Sequence, residues 1–270
     1  MSGFDTHIHS TASDGTYSPS QVVEMAAERG LLGLALTDHD TVNGLAEAKE
    51  KAKALDFPFI PGIELSAEIM DRDVHILGYW FDPEKMLATG RLQRLMEARR
   101  QRAAEIVHRL HLFGMDIDLA KIEEAVGDNT LGRPHIAMVM VEAGYVDSLR
   151  TAFNKWLGRG MPAYVPREKL MPVEAIQLVL AAGGVPAIAH PGIGVPDHLI
   201  PWLVKEGIGG IEVYHPEHNR AAEQKYLRIA RRYHLAALGG SDFHTTGVRA
   251  IGCRVSTVNQ LGILAKYKPV

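Results

Sequence analysis

The chain has little of three features that mark common protein classes: cysteine, net charge and long apolar runs. Cys253 is the single cysteine among 270 residues, which excludes a disulfide framework and a thiolate metal site. The formal net charge of −3 argues against a general grip on long duplex nucleic acid, which needs a basic face. No apolar run approaches the roughly 20 residues that a membrane span needs. We therefore expect a cytoplasmic protein, with Cys253 as a buried packing residue.

The sequence also lacks a glycine-rich phosphate loop and any arrangement that resembles a Ser–His–Asp or Cys–His nucleophile. What it has is a hydrophobic content of 46%, enough to bury a sizeable core. The length fits one large α/β domain, or one such domain with an insertion.

Short apolar runs alternate with helical patterns, which is the rhythm of a parallel sheet or barrel. The seven predicted strands are 3–9, 31–38, 57–66, 74–81, 185–190, 209–215 and 235–242. Helices are predicted at 18–30, 42–55, 172–184 and 216–234. Residues 84–165 contain no strong strand, and 84–114 has the pattern of one long amphipathic helix. The predicted organisation is thus an α/β body, 1–83 with 166–270, that carries a helical insertion at 84–165.

Side chains that can bind metal stand at or near the ends of these strands. In parallel α/β folds the carboxyl ends of the strands gather on one side, where active sites form. His75 instead stands near the start of its strand, which indicates that this strand runs the other way or enters from a bend. The nine candidate ligands are His7, His9, Asp14, His39, Glu64, His75, His190, Asp242 and His244.

This mixture of imidazole and carboxylate, without sulfur, suits Zn, Mn or Fe. Nine ligands are too many for one ion, since a tetrahedral zinc uses four at most. Two or three clustered divalent ions are therefore predicted. Asp5 or Asp38 is expected to orient a ligating imidazole from behind.

The motifs "DTHIHS", "TDHD", "GIE", "AHP" and "GSDFH" occur in this order, and they resemble those of the PHP (polymerase and histidinol phosphatase) superfamily. The resemblance implies a distorted (β/α)7 barrel, a trinuclear metal centre and phosphoester hydrolysis by a water that the metals activate. It favours Mn among the divalent ions, with Zn, Fe or Mg as alternatives. "EARRQRAAEI" and "LGRPHIA" make the chain look closest to the branch of 3',5'-nucleoside bisphosphate phosphatases and 5'-to-3' oligoribonucleases.

Such a substrate carries a second phosphate, for which arginine is the natural partner. Arg133 precedes Pro134, which opens a predicted helix, and helix starts attract anions. Arg99 and Arg102 lie on one face of the long insertion helix. With His135 they form the predicted substrate-binding set, and the insertion is predicted to act as a lid. His215 and His218 are candidates for proton transfer to the departing sugar oxygen.

The expected substrate is a small nucleoside bisphosphate, such as adenosine 3',5'-bisphosphate, or a short 5'-phosphorylated RNA. A histidinol-phosphate-type or broad phosphomonoesterase is the first alternative, and C–N bond hydrolysis is another. An alternative of a different class is a PHP module that acts only as a scaffold, for which the expected mark is decay of the ligand residues. The sequence leaves the oligomeric state open.

Overall fold

The computed structural model describes residues 3–166, 168 and 170–269 of the chain. These residues form two compact units. The first consists of the chain up to and including Gly90 together with the chain after Glu168, and the second is Arg91–Glu168. The insertion predicted at 84–165 therefore overlaps the second unit almost completely. None of the helices described in either unit has the length and apolar content that crossing a membrane requires.

Seven strands form one sheet in chain order, and all seven correspond to strands predicted from the sequence. They are β1 (Phe4–Ile8), β2 (Gly33–Leu36), β3 (Phe59–Ile69), β4 (Arg72–Tyr79), β5 (Val185–Ile188), β6 (Gly210–Tyr214) and β7 (Ala236–Gly239). Neighbouring strands are parallel except that β4 is antiparallel to both β3 and β5. Of the two alternatives that the position of His75 predicted, the reversed strand is the one observed.

The sheet curls into a nearly closed barrel, because the segment after β7 returns to β1. The amide of His9 donates to the carbonyl of Phe243 (2.9 Å), and the amide of Asp242 donates to the carbonyl of His7 (2.8 Å). Inside the first unit, buried side chains such as Leu77, Val185 and Leu238 pack into an apolar core. The fold is therefore the distorted (β/α)7 barrel that was expected, with β4 as its distortion.

Helices surround the strands in the first unit and build the whole of the second. The first unit contains α1 (Pro19–Glu28), α2 (Leu45–Ala54), α3 (Pro83–Ala88), α8 (Pro172–Ala181), a 3-10 turn (Asp197–Leu199), α9 (Ile200–Lys205), α10 (Arg220–Arg232) and α11 (Val258–Ala265). The second contains α4 (Arg91–Leu112), α5 (Leu119–Val126), α6 (Arg133–Glu142), α7 (Leu149–Ala152) and a π-helical turn (Phe153–Leu157). This second unit has a core of its own, which includes Ile106, Leu110, Ile136 and Met140.

Two predictions of local structure need correction. The helix expected over residues 84–114 is broken between α3 and α4 by Gly90, whose φ of 67° lies in the left-handed region that helices do not use. Cys253 was expected to be buried, but it is exposed in the segment that leads to α11. By contrast, Ser18 begins α1 as expected, since its hydroxyl accepts from the amide of Gln21 in a capping box.

Asp5 links the first strand to the segment that closes the barrel. Its buried carboxylate accepts from the amides of Ser241 (2.9 Å) and Gly252 (2.7 Å). Asp5→Ala leaves these donors without a partner, and each unsatisfied buried group costs about 1–3 kcal/mol. We expect the free energy of unfolding to fall by about 2–4 kcal/mol, measured by urea denaturation in excess chelator. Asp116→Ala, which removes an exposed carboxylate, is the control; equal stability of the two variants would contradict this role for Asp5.

Candidate metal centre

The candidate ligands come from the strand ends on one side of the barrel. His7 lies in β1 with His9 just beyond it, His39 follows β2, and Glu64 lies in β3. His190 follows β5, and Asp242 and His244 follow β7. Because β4 is antiparallel, His75 reaches the same side from the first half of its strand, where it pairs with Ser66 of β3.

The carboxylate of Glu64 is the centre of the cluster, and its side chain is 1% exposed. Five imidazoles surround it from four different parts of the barrel. The Oε2 atom lies 3.1 Å from Nε2 of His7, 3.1 Å from Nε2 of His9 and 3.2 Å from Nδ1 of His39. The Oε1 atom lies 2.8 Å from Nδ1 of His75 and 3.0 Å from Nε2 of His190.

The ligand atoms fall into three overlapping groups, each with its atoms within 4.8 Å of one another. The groups are His9, Asp14, His39 and His244; His7, His9, Glu64 and Asp242; and His39, Glu64 and His75. His9, His39 and Glu64 each belong to two groups, and His190 joins the cluster through Glu64. The arrangement can bind more than one metal ion, with the shared residues between neighbouring ions.

Nε2 of His9 provides a direct test of whether a cation fits. Within the described residues it is buried and has no hydrogen-bond partner. Oxygen atoms of Glu64 and Asp242 nevertheless lie 3.1 Å and 3.3 Å away. Neither oxygen is aligned for a hydrogen bond with this nitrogen. A buried nitrogen without a partner between two carboxylates is unfavourable, unless a cation binds there. The donor set of imidazole and carboxylate suits a borderline divalent ion.

The charges of the cluster shift its pKa values strongly. Burial alone would lower the pKa of His9, but the carboxylates of Asp242 and Glu64 outweigh it and raise the pKa to about 10. Burial likewise lowers the pKa of His39, here to about 3, and its carboxylate neighbours only partly oppose this. Burial would raise the pKa of Asp14, yet His244 and His39 hold it well below its usual range. In the absence of metal, protons on some of the imidazoles balance the buried carboxylates.

Asp38 and Asp5 do not orient an imidazole as the sequence led us to expect. Asp38 instead accepts from the amide of Ser10 (2.7 Å) and from the hydroxyls of Ser10 (2.7 Å) and Ser13 (2.6 Å). These bonds hold the loop that ends in Asp14. Asp5 accepts backbone amides, as described above.

The carboxylate that does contact an imidazole from behind is Glu212 of β6, which the sequence analysis missed. Nδ1 of His7 lies 3.2 Å from its Oε1 atom. The sequence did contain a signal for Glu212, since it is the one charged residue in the apolar strand "GIEVY". A charge buried among apolar residues needs a partner, so a role for it could have been predicted.

The two predicted proton-transfer histidines have different surroundings. Nε2 of His215 lies 3.3 Å from Oδ2 of Asp242, and its Nδ1 accepts from the amide of Glu217 (3.1 Å). His215 therefore borders the cluster. His218 uses both ring nitrogens on backbone groups: Nδ1 donates to the carbonyl of Val213 (2.9 Å), and Nε2 accepts from the amide of Gly192 (3.1 Å).

Arg249, also missed, holds the outer side of Asp242. Its guanidinium contacts Oδ2 of Asp242 and donates to Glu217 (2.8 Å). It thereby ties together the loops that follow β6 and β7, the first of which contains His215. In "TTGVRA" no local pattern distinguishes this arginine from a solvated one.

The predicted substrate-binding residues lie in the second unit, where Arg99, Arg102 and Arg133 line one pocket beside Gly132 at the start of α6. Backbone carbonyls hold two of the guanidinium groups. Nε of Arg102 donates to Val165 (2.7 Å), and Arg133 donates to Leu157 (3.2 Å). Three arginines that converge on one pocket form a site suited to an anion.

His135 stands next to this pocket but has a structural contact. Its Nδ1 accepts from the amide of Gly132 (3.0 Å), which makes it part of the helix cap. The guanidinium of Arg133 also lies over the Phe153 ring, 5.5 Å from its centre. Ring stacking of this kind restricts a guanidinium while its remaining N–H groups stay in plane.

The chain is similar to known proteins in sequence. A family profile described as PHP domain matches residues 5–149. The chain is 37% identical over 255 residues to a 3',5'-nucleoside bisphosphate phosphatase of Chromobacterium violaceum, which covers 92% of this chain and 89% of that protein. It is 36% identical over 249 residues to a 5'-3' exoribonuclease of Haemophilus influenzae, which covers 89% of each.

A solved structure shows the same fold over the full length. A protein of Bifidobacterium adolescentis, assigned as a metal-dependent phosphoesterase, superimposes with a TM-score of 0.93 at 30% identity, covering 100% of this chain and 97% of that one. The matched profile, the full-length relatives and the cluster of imidazoles and carboxylates agree with one another. The chain belongs to the PHP family of metal-dependent phosphoesterases.

Proposed function

We propose that this phosphoric ester hydrolase removes the 3'-phosphate from nucleoside 3',5'-bisphosphates, as in the conversion of adenosine 3',5'-bisphosphate to AMP. Trimming of short 5'-phosphorylated RNA is a second activity within the same proposal. The observation that carries it is the presence of two separate features for phosphate, the metal cluster and the arginine pocket. The names of the two relatives support the same class of substrate. The proposed location is the cytoplasm.

The metal cluster is the proposed site of hydrolysis. Its ligands are His7, His9, Asp14, His39, Glu64, His75, His190, Asp242 and His244, and they would hold two or three divalent ions, with Mn as the favoured metal. When bound, such ions neutralise charge on phosphate oxygens and lower the pKa of water. The protein residues fix the positions of the ligand atoms, because Glu64 lies in a strand and Asp38 restrains the loop before Asp14.

His215 is the proposed donor of a proton to the departing sugar oxygen. Since its Nδ1 accepts from the amide of Glu217, the neutral ring carries its proton on Nε2, the atom that faces Asp242. His218 is a weaker candidate, because both of its nitrogens are engaged by the backbone and burial lowers its pKa. We therefore assign proton transfer to His215 and a structural contact to His218.

The arginine pocket is the proposed site for the phosphate that is not hydrolysed. Arg99, Arg102 and Arg133 line this pocket, and a guanidinium can bind phosphate through two parallel bonds. Arg99 and the start of α6 add positive potential. A histidinol-phosphate-type enzyme has no need of this second anion site, which is why the bisphosphate is favoured.

A scaffold role and C–N bond hydrolysis have less support. All nine candidate ligands are present in the sequence, which supports an enzyme, whereas a scaffold would tolerate their loss. The relatives named above act on phosphate esters. A side-by-side assay of adenosine 3',5'-bisphosphate and histidinol phosphate with the manganese-loaded enzyme tests the choice among phosphatases.

The overlap of the three ligand groups predicts more than one ion per chain. Metal analysis of the loaded, desalted protein should give two or three ions. His9→Ala removes a ligand common to two groups, so it should lower the metal content and reduce turnover to background. His111→Ala, in the second unit and outside the cluster, serves as the control with unchanged metal content. A fully active protein with one ion per chain would contradict the proposal.

Metal binding should release protons, because the carboxylates hold a proton on His9 with a pKa of about 10. Below that pH the proton competes with the metal, so apparent affinity should rise as the pH increases from about 6 to 9. At pH 7.5 we expect about one proton or more released per chain. Titration calorimetry with Mn in two buffers of different ionisation enthalpy measures this number, and a heat independent of buffer would refute it.

Arg133→Ala tests the second phosphate site. Loss of a hydrogen bond to a charged group costs about 1.5–3 kcal/mol, which corresponds to about a ten- to hundredfold loss of kcat/KM for the bisphosphate. A 3'-monophosphate lacks the second phosphate and should lose much less. Arg94→Ala, an exposed arginine of the same helix as Arg99 and Arg102, is the control. Equal losses for both substrates, at normal metal content, would show that Arg133 does not bind the second phosphate.

A further inference from the structure

Glu212 is a fully buried carboxylate in the middle of β6, between Ile211 and Val213, which are also fully buried. A charged group in such a place is unfavourable unless it is paired and hydrogen-bonded. It is not among the candidate metal ligands, and the contacts of its two oxygens show how it is paired.

The first contact is with the ring of His7. Nδ1 of His7 lies 3.2 Å from Oε1 and 3.3 Å from Oε2 of Glu212. The opposite nitrogen, Nε2, lies 3.1 Å from Oε2 of Glu64 and 3.5 Å from Oδ1 of Asp242. When Nδ1 carries a proton and donates it to Glu212, the lone pair of Nε2 points into the cluster. Glu212 thereby selects the tautomer that can bind a metal.

The second contact fixes another candidate ligand. Oε2 of Glu212 accepts from the backbone amide of His190 (2.8 Å). His190 has a φ of 21°, a conformation that a residue with a side chain adopts only when its surroundings impose it. The same carboxylate therefore positions the turn after β5 as well as the ring from β1.

The neighbouring strand leaves room for this arrangement. A Cβ atom at Gly240, just beyond β7, would collide with Cβ of His7 and lie 2.9 Å from Oε1 of Glu212. Glycine at this position permits the ring and the carboxylate to meet. Strands β6 and β1 thus supply the two side chains of this contact, and the residue just after β7 leaves the space for it.

We propose that Glu212 is a positioning residue of the metal centre, which holds His7 in its metal-binding tautomer and increases the metal affinity of its Nε2 atom. A carboxylate behind a ligating imidazole raises its basicity and fixes its orientation, and loss of such a partner costs about 10- to 100-fold in metal affinity or activity. The proposal rests on the proposed function only in that the cluster binds metal; it does not depend on the substrate.

Glu212→Gln is the informative variant, because the amide keeps one acceptor oxygen for the amide of His190 but cannot offer a carboxylate to His7. We expect zinc affinity, measured by competition with a chelator, to fall about 10- to 100-fold. The control is Glu124→Gln, the same substitution at an exposed position of α5 in the second unit. That variant should change zinc affinity less than threefold.

A second readout reports the tautomer itself. In zinc-loaded wild-type protein, nitrogen-15 spectra of the histidine side chains should show a hydrogen-bonded Nδ1 proton on His7, assigned by its absence in His7→Gln. In Glu212→Gln this resonance should move upfield or exchange with water. Unchanged affinity and spectrum in Glu212→Gln would overturn the proposal, as would an equal loss of affinity in Glu124→Gln. Failure of the wild-type enzyme to hydrolyse a bisphosphate would refute the proposed function while these measurements still decide the role of Glu212.

Discussion

The contact of five imidazoles with the one carboxylate of Glu64 is the constraint on which the rest of the structure depends. No single segment can supply those rings, since they come from β1, β4 and the loops after β2 and β5. A barrel brings these rings together, because the carboxyl ends of its parallel strands all lie on the same side. The reversal of β4 extends this rule, for it brings His75 to Glu64 from the first half of a strand.

The polar side chains buried in the cluster are held in place by further residues that hydrogen-bond to them or to their loops. Asp38 holds the loop of Ser10 and Ser13, Asp5 holds the segment after β7, and Glu212 holds His7 and the turn at His190. Each of these carboxylates is buried and accepts several hydrogen bonds, which offsets the cost of its burial. The stability of the barrel comes instead from the apolar residues of the same strands, such as Leu77 and Leu238.

The seven strands could be predicted because each is a short apolar run, and most of the candidate ligands were found because they lie at or just beyond the end of such a run. Partnerships between distant residues were not predictable. Glu212 and His7 are separated by 205 positions, and only the closed barrel makes them neighbours. Asp38 is adjacent to the candidate ligand His39 in the sequence, yet its partners are hydroxyls and an amide. The break at Gly90 depends on a backbone angle that an amphipathic pattern does not report.

The two features that are proposed to bind phosphate lie in units with separate apolar cores. The metal cluster belongs to the first unit, and the three arginines, with the aromatic ring and carbonyls that restrain them, belong to the second. Each unit has its own buried apolar cluster, so separate sets of apolar residues support the candidate metal ligands and the arginines. In the proposed function, this division separates the hydrolysis of a phosphate ester from the recognition of a second phosphate.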